Sequence, residues 1–170
     1  MNASRRQVLS GSAVCLEFFN RVHVSLCGTP GHEPLGRLAP DVWERAGNCC
    51  EYCQMPQDYD PATFEVDHIV PGKMGGESVE ENLALACFKC NNHKGPNIAG
   101  IDPVDGSKAF LFDPRNDNWS QHFIWDGPLL LGLTSKGRTT VALLQINVGH
   151  RVSHRRQLIT EGVFPLSKKS

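Results

Sequence analysis

The chain has 170 residues, 40% of them hydrophobic and 21% charged, with a formal net charge of −1. This length and composition fit one globular domain with arms at its ends and exclude a wholly disordered chain. No apolar run approaches the ~18 residues that mark a transmembrane helix, and the near-neutral balance excludes a chain that holds nucleic acid by bulk charge alone.

The charge is unevenly placed. Residues 1–135 carry ten lysines and arginines against seventeen acidic residues, whereas residues 136–170 carry seven against one. An acidic body with a basic end suits a site that handles metal and phosphate together, and equally suits a solvated tail.

At the N-terminus, Ala13 to Val24 is expected to form a short helix. Ser4-Arg5-Arg6-Gln7-Val8-Leu9 resembles a twin-arginine export signal only superficially. The apolar stretch behind it is broken by Glu17 and Asn20, and no small-residue cleavage site follows. A partly helical arm on a cytoplasmic protein is the expectation. Cys27 to Pro40, with three glycines and three prolines, reads as a linker. Residues 1–40 are thus expected to be arm and linker. Asp41 then caps a short helix from Val42 to Ala46, which Gly47-Asn48 ends.

The next segment, residues 41–98, is the informative one. Phe64 to Val70 alternates and is β-branched, predicting a strand that Pro71-Gly72 breaks. Gly75-Gly76 makes a turn, Leu83 to Ala86 is a short apolar stretch, and Cys87 to Lys94 starts a helix that Gly95-Pro96 ends.

The seven cysteines cannot all pair with one another. Four form two C-x-x-C pairs, Cys50/Cys53 and Cys87/Cys90, separated by 33 residues. Two such turns can close a tetrahedral Zn²⁺ site with no open position, which makes it structural. Metal binding of this kind also implies a reducing compartment. A redox dithiol is the weaker alternative, since it needs one pair only. Cys15, Cys27 and Cys49 are assigned no role beyond small core residues.

Inside and beside the knuckle lie Glu65-Val66-Asp67-His68-Ile69-Val70-Pro71, Gly75-Gly76, Asn82-Leu83 and Cys87-Phe88-Lys89-Cys90-Asn91-Asn92-His93-Lys94-Gly95. Over roughly residues 45–98 this resembles the HNH endonucleases, specifically the bacterial branch with a Cys₄ zinc site. The resemblance implies a ββα-metal core: two antiparallel strands and a helix around a catalytic cation. It implies His68 as general base and Asn82 as the residue that holds the loop orienting that base. Many relatives place histidine where this chain has Asn91.

The chemistry stands beside the resemblance. Phosphodiester hydrolysis needs an activated water, charge at phosphorus and help for the leaving oxygen. Histidine suits the base role near neutral pH. Asp67 and Asn91 offer oxygen ligands, which suit Mg²⁺ or Mn²⁺. His93 is the competing third ligand, but two helical steps from Asn91 turn it to roughly the opposite face. Neighbours on a strand face opposite ways, so Asp67 and His68 both reach one site only if the strand ends or twists there. Lys94 and Lys73 are candidate phosphate contacts, with solvated lysines as the alternative.

Residues 99–170 form a C-terminal extension. Ala109–Phe112, Phe123–Trp125, Leu129–Leu133 and Thr139–Leu144 read as short strands of a small sheet, with Leu143–Ile159 as a stretch that is helical at its end. Leu111-Phe112-Asp113-Pro114-Arg115 and the residues after it are similar to a segment that follows the HNH unit in this group. Trp119, Phe123 and Trp125 are expected to pack the core, and His122 to be structural. Arg115, Arg151, Arg155 and Arg156 are candidate nucleic-acid contacts. The overall expectation is an α+β protein: a ββα-metal core stapled by a Cys₄ zinc knuckle, acting as a metal-dependent DNA endonuclease. The motifs do not discriminate RNA from DNA, and a non-catalytic zinc module binding DNA or protein is the second function. A homodimer, or a subunit of a defence or mobile-element system, is the expected assembly.

Overall fold

The computed structural model describes residues 35–165. The expected helix at Ala13–Val24 and the cysteines Cys15 and Cys27 lie outside them. The first element, α1 (Leu35–Ala46), contains Pro40. It therefore runs through the end of the expected linker and past Asp41, which is not its cap. Proline removes one backbone bond from a helix. Here Leu38 and Val42, one turn apart, bury that face against the strand Leu83–Ala86 and hold the helix together.

Strands β1 (Glu65–His68) and β2 (Leu83–Ala86) pair antiparallel, with Asp67 opposite Ala84 and His68 opposite Leu83. All four residues of β2, Leu-Ala-Leu-Ala, are buried because α1 and the following helix cover it. Helix α2 (Phe88–Lys94) opens on Cys87, whose sulfur accepts from the Cys90 N–H, and closes at Gly95 with φ 48°. Strand, strand and helix form the expected ββα unit.

The C-terminal half departs from a single small sheet. Its strands form two separate hairpins, β3 (Ala99–Ile101) with β4 (Lys108–Phe110), and β5 (Phe123–Asp126) with β6 (Leu129–Gly132). A short helix, α3 (Trp119–His122), precedes β5. The expected strand Thr139–Leu144 is instead the end of helix α4 (Ser135–Leu143). Two local devices favour helix over β-propensity there. Thr134 caps the helix by accepting from the Gly137 N–H, and the Thr140 hydroxyl bonds back to the Lys136 carbonyl. The same hydroxyl accepts the Phe112 N–H at 2.8 Å, so a buried threonine ties α4 to the chain after β4. Gly132 and Gly137 allow the close approach of α4 to β6. A Cβ at Gly132 would meet the Arg138 backbone, and one at Gly137 the His122 carbonyl. A turn with Gln145 at φ 49° separates α4 from α5 (Gly149–Thr160), so the stretch 143–159 is helical at its end, as expected, from Gly149 on.

One apolar cluster joins both halves: Val42, Leu83 and Leu85 from the ββα unit, and Phe123, Leu130, Leu144 and Ile146 from the extension. Trp119 spans the boundary, donating its indole N–H to the Tyr52 carbonyl at 3.1 Å and stacking near Phe123 and Trp125. His122 is held by Thr134, 2.7 Å from Nδ1, a structural environment. Among the described residues no helix is long and apolar enough to cross a membrane.

Candidate active site and metal cluster

Two short turns bring the four sulfurs together. After Cys50 the chain folds back on itself, with Gln54 donating to the Cys50 carbonyl and Cys50 to that of Met55. Gln54 sits at φ 54° to close this turn. The second pair opens α2. The Sγ atoms of Cys50, Cys53, Cys87 and Cys90 all lie within 4.8 Å of one another, and all four residues are buried. Burial pushes the Cys50 and Cys90 thiols up, while hydrogen bonds from neighbouring thiols draw Cys53 down. A closed, dry set of four sulfurs with no oxygen donor matches a tetrahedral structural Zn²⁺. Cys49 stands outside it, its thiol directed to the Gly47 carbonyl.

Strand alternation sets the neighbouring site. Glu65 and Asp67 share one face of β1, and α2 packs across that strand. Asn91, in α2, donates its side-chain amide to Glu65 Oε2. Lys94, one turn further, reaches Asp67 Oδ2 at 2.9 Å and the His68 carbonyl at 2.7 Å. Tyr52, from the cysteine turn, donates its hydroxyl to the same Asp67 oxygen at 3.3 Å. Burial raises the Asp67 carboxyl above its ordinary range, against the downward pull of Lys94, Tyr52 and His68. Glu65, Asp67 and Asn91 together offer oxygen donors only, the set a hard divalent cation takes.

His68, the last residue of β1, has a side-chain partner of its own. Its Nε2 shares a hydrogen bond of 2.9 Å with the Ser78 hydroxyl. The loop carrying Ser78 is fixed by Asn82, whose amide donates to the carbonyls of Val70 and Glu77 and whose oxygen accepts the Val70 N–H, each at 2.9 Å. Gly76 lies under this clamp, where any Cβ would collide with the Val70 carbonyl and crowd the Asn82 amide.

Several expected residues are placed differently from their expected roles. Lys94 is only 2% exposed and is spent on Asp67 and the β1 end, so it is not a surface phosphate contact. Arg115 pairs with Glu51, whose other oxygen accepts the Leu85 N–H. Arg151 and Arg155 are 7% and 1% exposed. Arg155 donates to the carbonyls of Pro128 and Ile146 and lies over Trp125. These three arginines therefore do not form a backbone-following surface: Arg151 and Arg155 lie on the inner side of α5, and Arg115 is taken up by Glu51. Arg156 alone of the four is exposed, as is Lys73. His93 has Arg151, Lys89 and His150 for electrostatic neighbours, and burial with those cations lowers its pKa. It shares that cationic side rather than the Glu65–Asp67 face. Glu65 and Tyr52 were missed by the sequence reading. Strand alternation from Asp67 was a signal for Glu65; nothing pointed to Tyr52.

Comparison with known proteins follows the same boundaries. Residues 50–97 match the HNH endonuclease family. Over 129 residues the chain is 31% identical to the Septu protein PtuB of Bacillus thuringiensis, an alignment covering 75% of this chain and 47% of that protein. It is 38% identical over 61 residues to the CRISPR-associated endonuclease Cas9 of Corynebacterium diphtheriae, covering 32% of this chain and 5% of that protein. The chain thus spans about half or less of the length of these relatives. No solved structure matches it. The ββα order, the four-cysteine cluster and the family match coincide on one segment: residues 50–97 are an HNH endonuclease domain.

Proposed function

We propose that the chain is a metal-dependent endonuclease that hydrolyses phosphodiester bonds of DNA. The observation that carries this reading is that Glu65 and Asp67 share one face of β1, with Asn91 bonded to Glu65, while the next residue, His68, is bonded to Ser78 on a clamped loop. His68 is the general base. With Nε2–H donated to Ser78, the unprotonated Nδ1 accepts the proton of the attacking water. Asn82 positions this base through the loop. Asp67 and Asn91, with Glu65 beside them, hold Mg²⁺ or Mn²⁺. When bound, that ion supplies positive charge to the phosphate and the leaving 3′ oxygen. Cys50, Cys53, Cys87 and Cys90 hold one structural Zn²⁺. We also propose that it acts in the cytoplasm, as a homodimer or as a partner subunit of a defence or mobile-element system.

The second reading, a non-catalytic zinc module that binds DNA or protein, draws on one observation: the Asp67 carboxylate is already paired with Lys94. Plasmid nicking with Mg²⁺ or Mn²⁺, with and without EDTA, separates the two. The nuclease reading expects EDTA-sensitive nicking that His68→Ala slows by roughly 10²–10⁴. Nicking equal in His68→Ala would be a contaminant and would leave the binding module.

A further inference from the structure

Arg151 is a buried cation whose anionic neighbours are sulfurs. From the inner face of α5, its Nη2 donates to Cys90 Sγ at 3.2 Å and approaches Cys87 Sγ at 3.9 Å. Its Nη1 donates to the Leu144 carbonyl at 3.0 Å, in the turn before the helix. Among the described residues no carboxylate lies within ion-pairing distance of it. A buried guanidinium is costly unless an opposite charge balances it. Neutral thiols would not balance it, whereas the thiolates of a metal-loaded four-cysteine site carry net negative charge even after the cation is counted.

We propose that Arg151 is the outer-sphere partner of the four-cysteine site: a positioning residue whose guanidinium holds the sulfurs of Cys87 and Cys90 and makes the seating of α5 depend on the metal. Zinc then staples more than the two turns that bind it. Through the guanidinium it also anchors the C-terminal helix, 61 residues beyond Cys90. Arg155, one turn along the same face, extends the anchorage to the β5–β6 hairpin through the Pro128 carbonyl. The inference rests on the cluster being a zinc site.

The test uses the full-length, zinc-loaded chain and follows zinc transfer to a chromophoric chelator. Arg151→Met fills similar volume without a donor and should weaken zinc binding by about 10- to 100-fold, the range for loss of an outer-shell partner. Arg151→Lys, which restores the charge but not the two-pronged geometry, should fall between it and wild type. Lys108→Met, an exposed lysine on β4, removes a charge elsewhere and should match wild type. With Co²⁺ in place of Zn²⁺, the sulfur-to-metal charge-transfer absorption of Arg151→Met should move to lower energy, because the sulfurs have lost a hydrogen-bond donor. Hydrogen exchange over residues 149–160 should quicken in the same variant. Wild-type zinc affinity and an unmoved cobalt spectrum in Arg151→Met would overturn the proposal. If that variant does not fold, wild-type zinc affinity in Arg151→Lys overturns it. A wild-type protein that holds no zinc fails the underlying reading instead, and metal content per chain tells the two failures apart.

Discussion

Asp67 and His68 are neighbours in sequence, yet β1 sends them to different partners, Lys94 and Tyr52 for one and Ser78 for the other. That division separates two functions by mutation. His68→Ala should leave far-UV circular dichroism unchanged and slow cleavage by roughly 10²–10⁴, the usual contribution of a general base. Asp67→Ala should instead raise the Mg²⁺ concentration needed for half-maximal rate. An oxygen-only donor set also expects Mg²⁺ and Mn²⁺ to support cleavage better than Ni²⁺ or Zn²⁺. A preference for Ni²⁺ in a rate assay would mean that a histidine, His93 first, had joined the ion. The aspartate, the histidine and both asparagines stand out in the sequence as candidates because their residue types and spacing carry chemistry. The buried roles of Lys94 and Arg151 do not, because a basic residue near a helix end looks the same in sequence whether it faces solvent or a buried anion. Only the packing of α2 on β1, and of α5 on the cysteines, decides which.

Elements follow the same division between local and tertiary information. The β1 strand, the loop punctuation and α2 were legible, since alternation, Pro71-Gly72 and Gly95-Pro96 are local signals. Helix α4 was not: Thr139, Thr140 and Val141 favour strands, and the cap at Thr134 and the buried bond from Thr140 to Phe112 overrule them. Hairpin β3–β4 is tied to α4 by fully buried Asp102, which accepts from Arg138 Nε at 3.0 and 3.2 Å. The Arg138 hydrogen bonds hold the Asp102 carboxyl down at about 2. A carboxylate with a lowered folded pKa stabilises the fold above its unfolded value, about 3.9, and this is lost as pH falls through the folded value. Acid titration followed by tryptophan fluorescence should therefore show stability falling between about pH 4 and 2. Asp102→Asn should be less stable at neutral pH and lose less on acidification through that window. An unaltered acid profile in Asp102→Asn would assign the acid loss to other groups. Asn82→Ala, which strands the Val70 and Glu77 backbone groups, should cost about 1–3 kcal/mol in a denaturant titration and slow cleavage through the displaced base.

At the scale of the molecule, the question is whether the HNH unit and the C-terminal extension unfold together. The apolar cluster crosses between them, Trp119 bonds to Tyr52 inside the cysteine turn, and Arg151 bonds to the sulfurs themselves. The segments that carry Phe123, Leu130, Leu144 and Ile146 cannot move away without exposing that shared core. Structural zinc contributes on the order of 10–16 kcal/mol in small zinc-binding peptides, comparable with the whole stability of a domain at about 5–15 kcal/mol. Those magnitudes leave little folded structure once the ion is gone. Cys87→Ser removes both a ligand and the sulfur that caps α2, and should unfold or aggregate the protein rather than slow it. Stripping zinc from the wild-type chain with a strong chelator should give one cooperative transition, with helical circular dichroism and the emission of Trp119 and Trp125 lost together and regained when zinc is restored. Two separated transitions, with the tryptophan signal surviving zinc loss, would mean that the extension folds independently and only rests on the knuckle. A well-folded, zinc-free Cys87→Ser protein would remove the metal from the folding argument altogether.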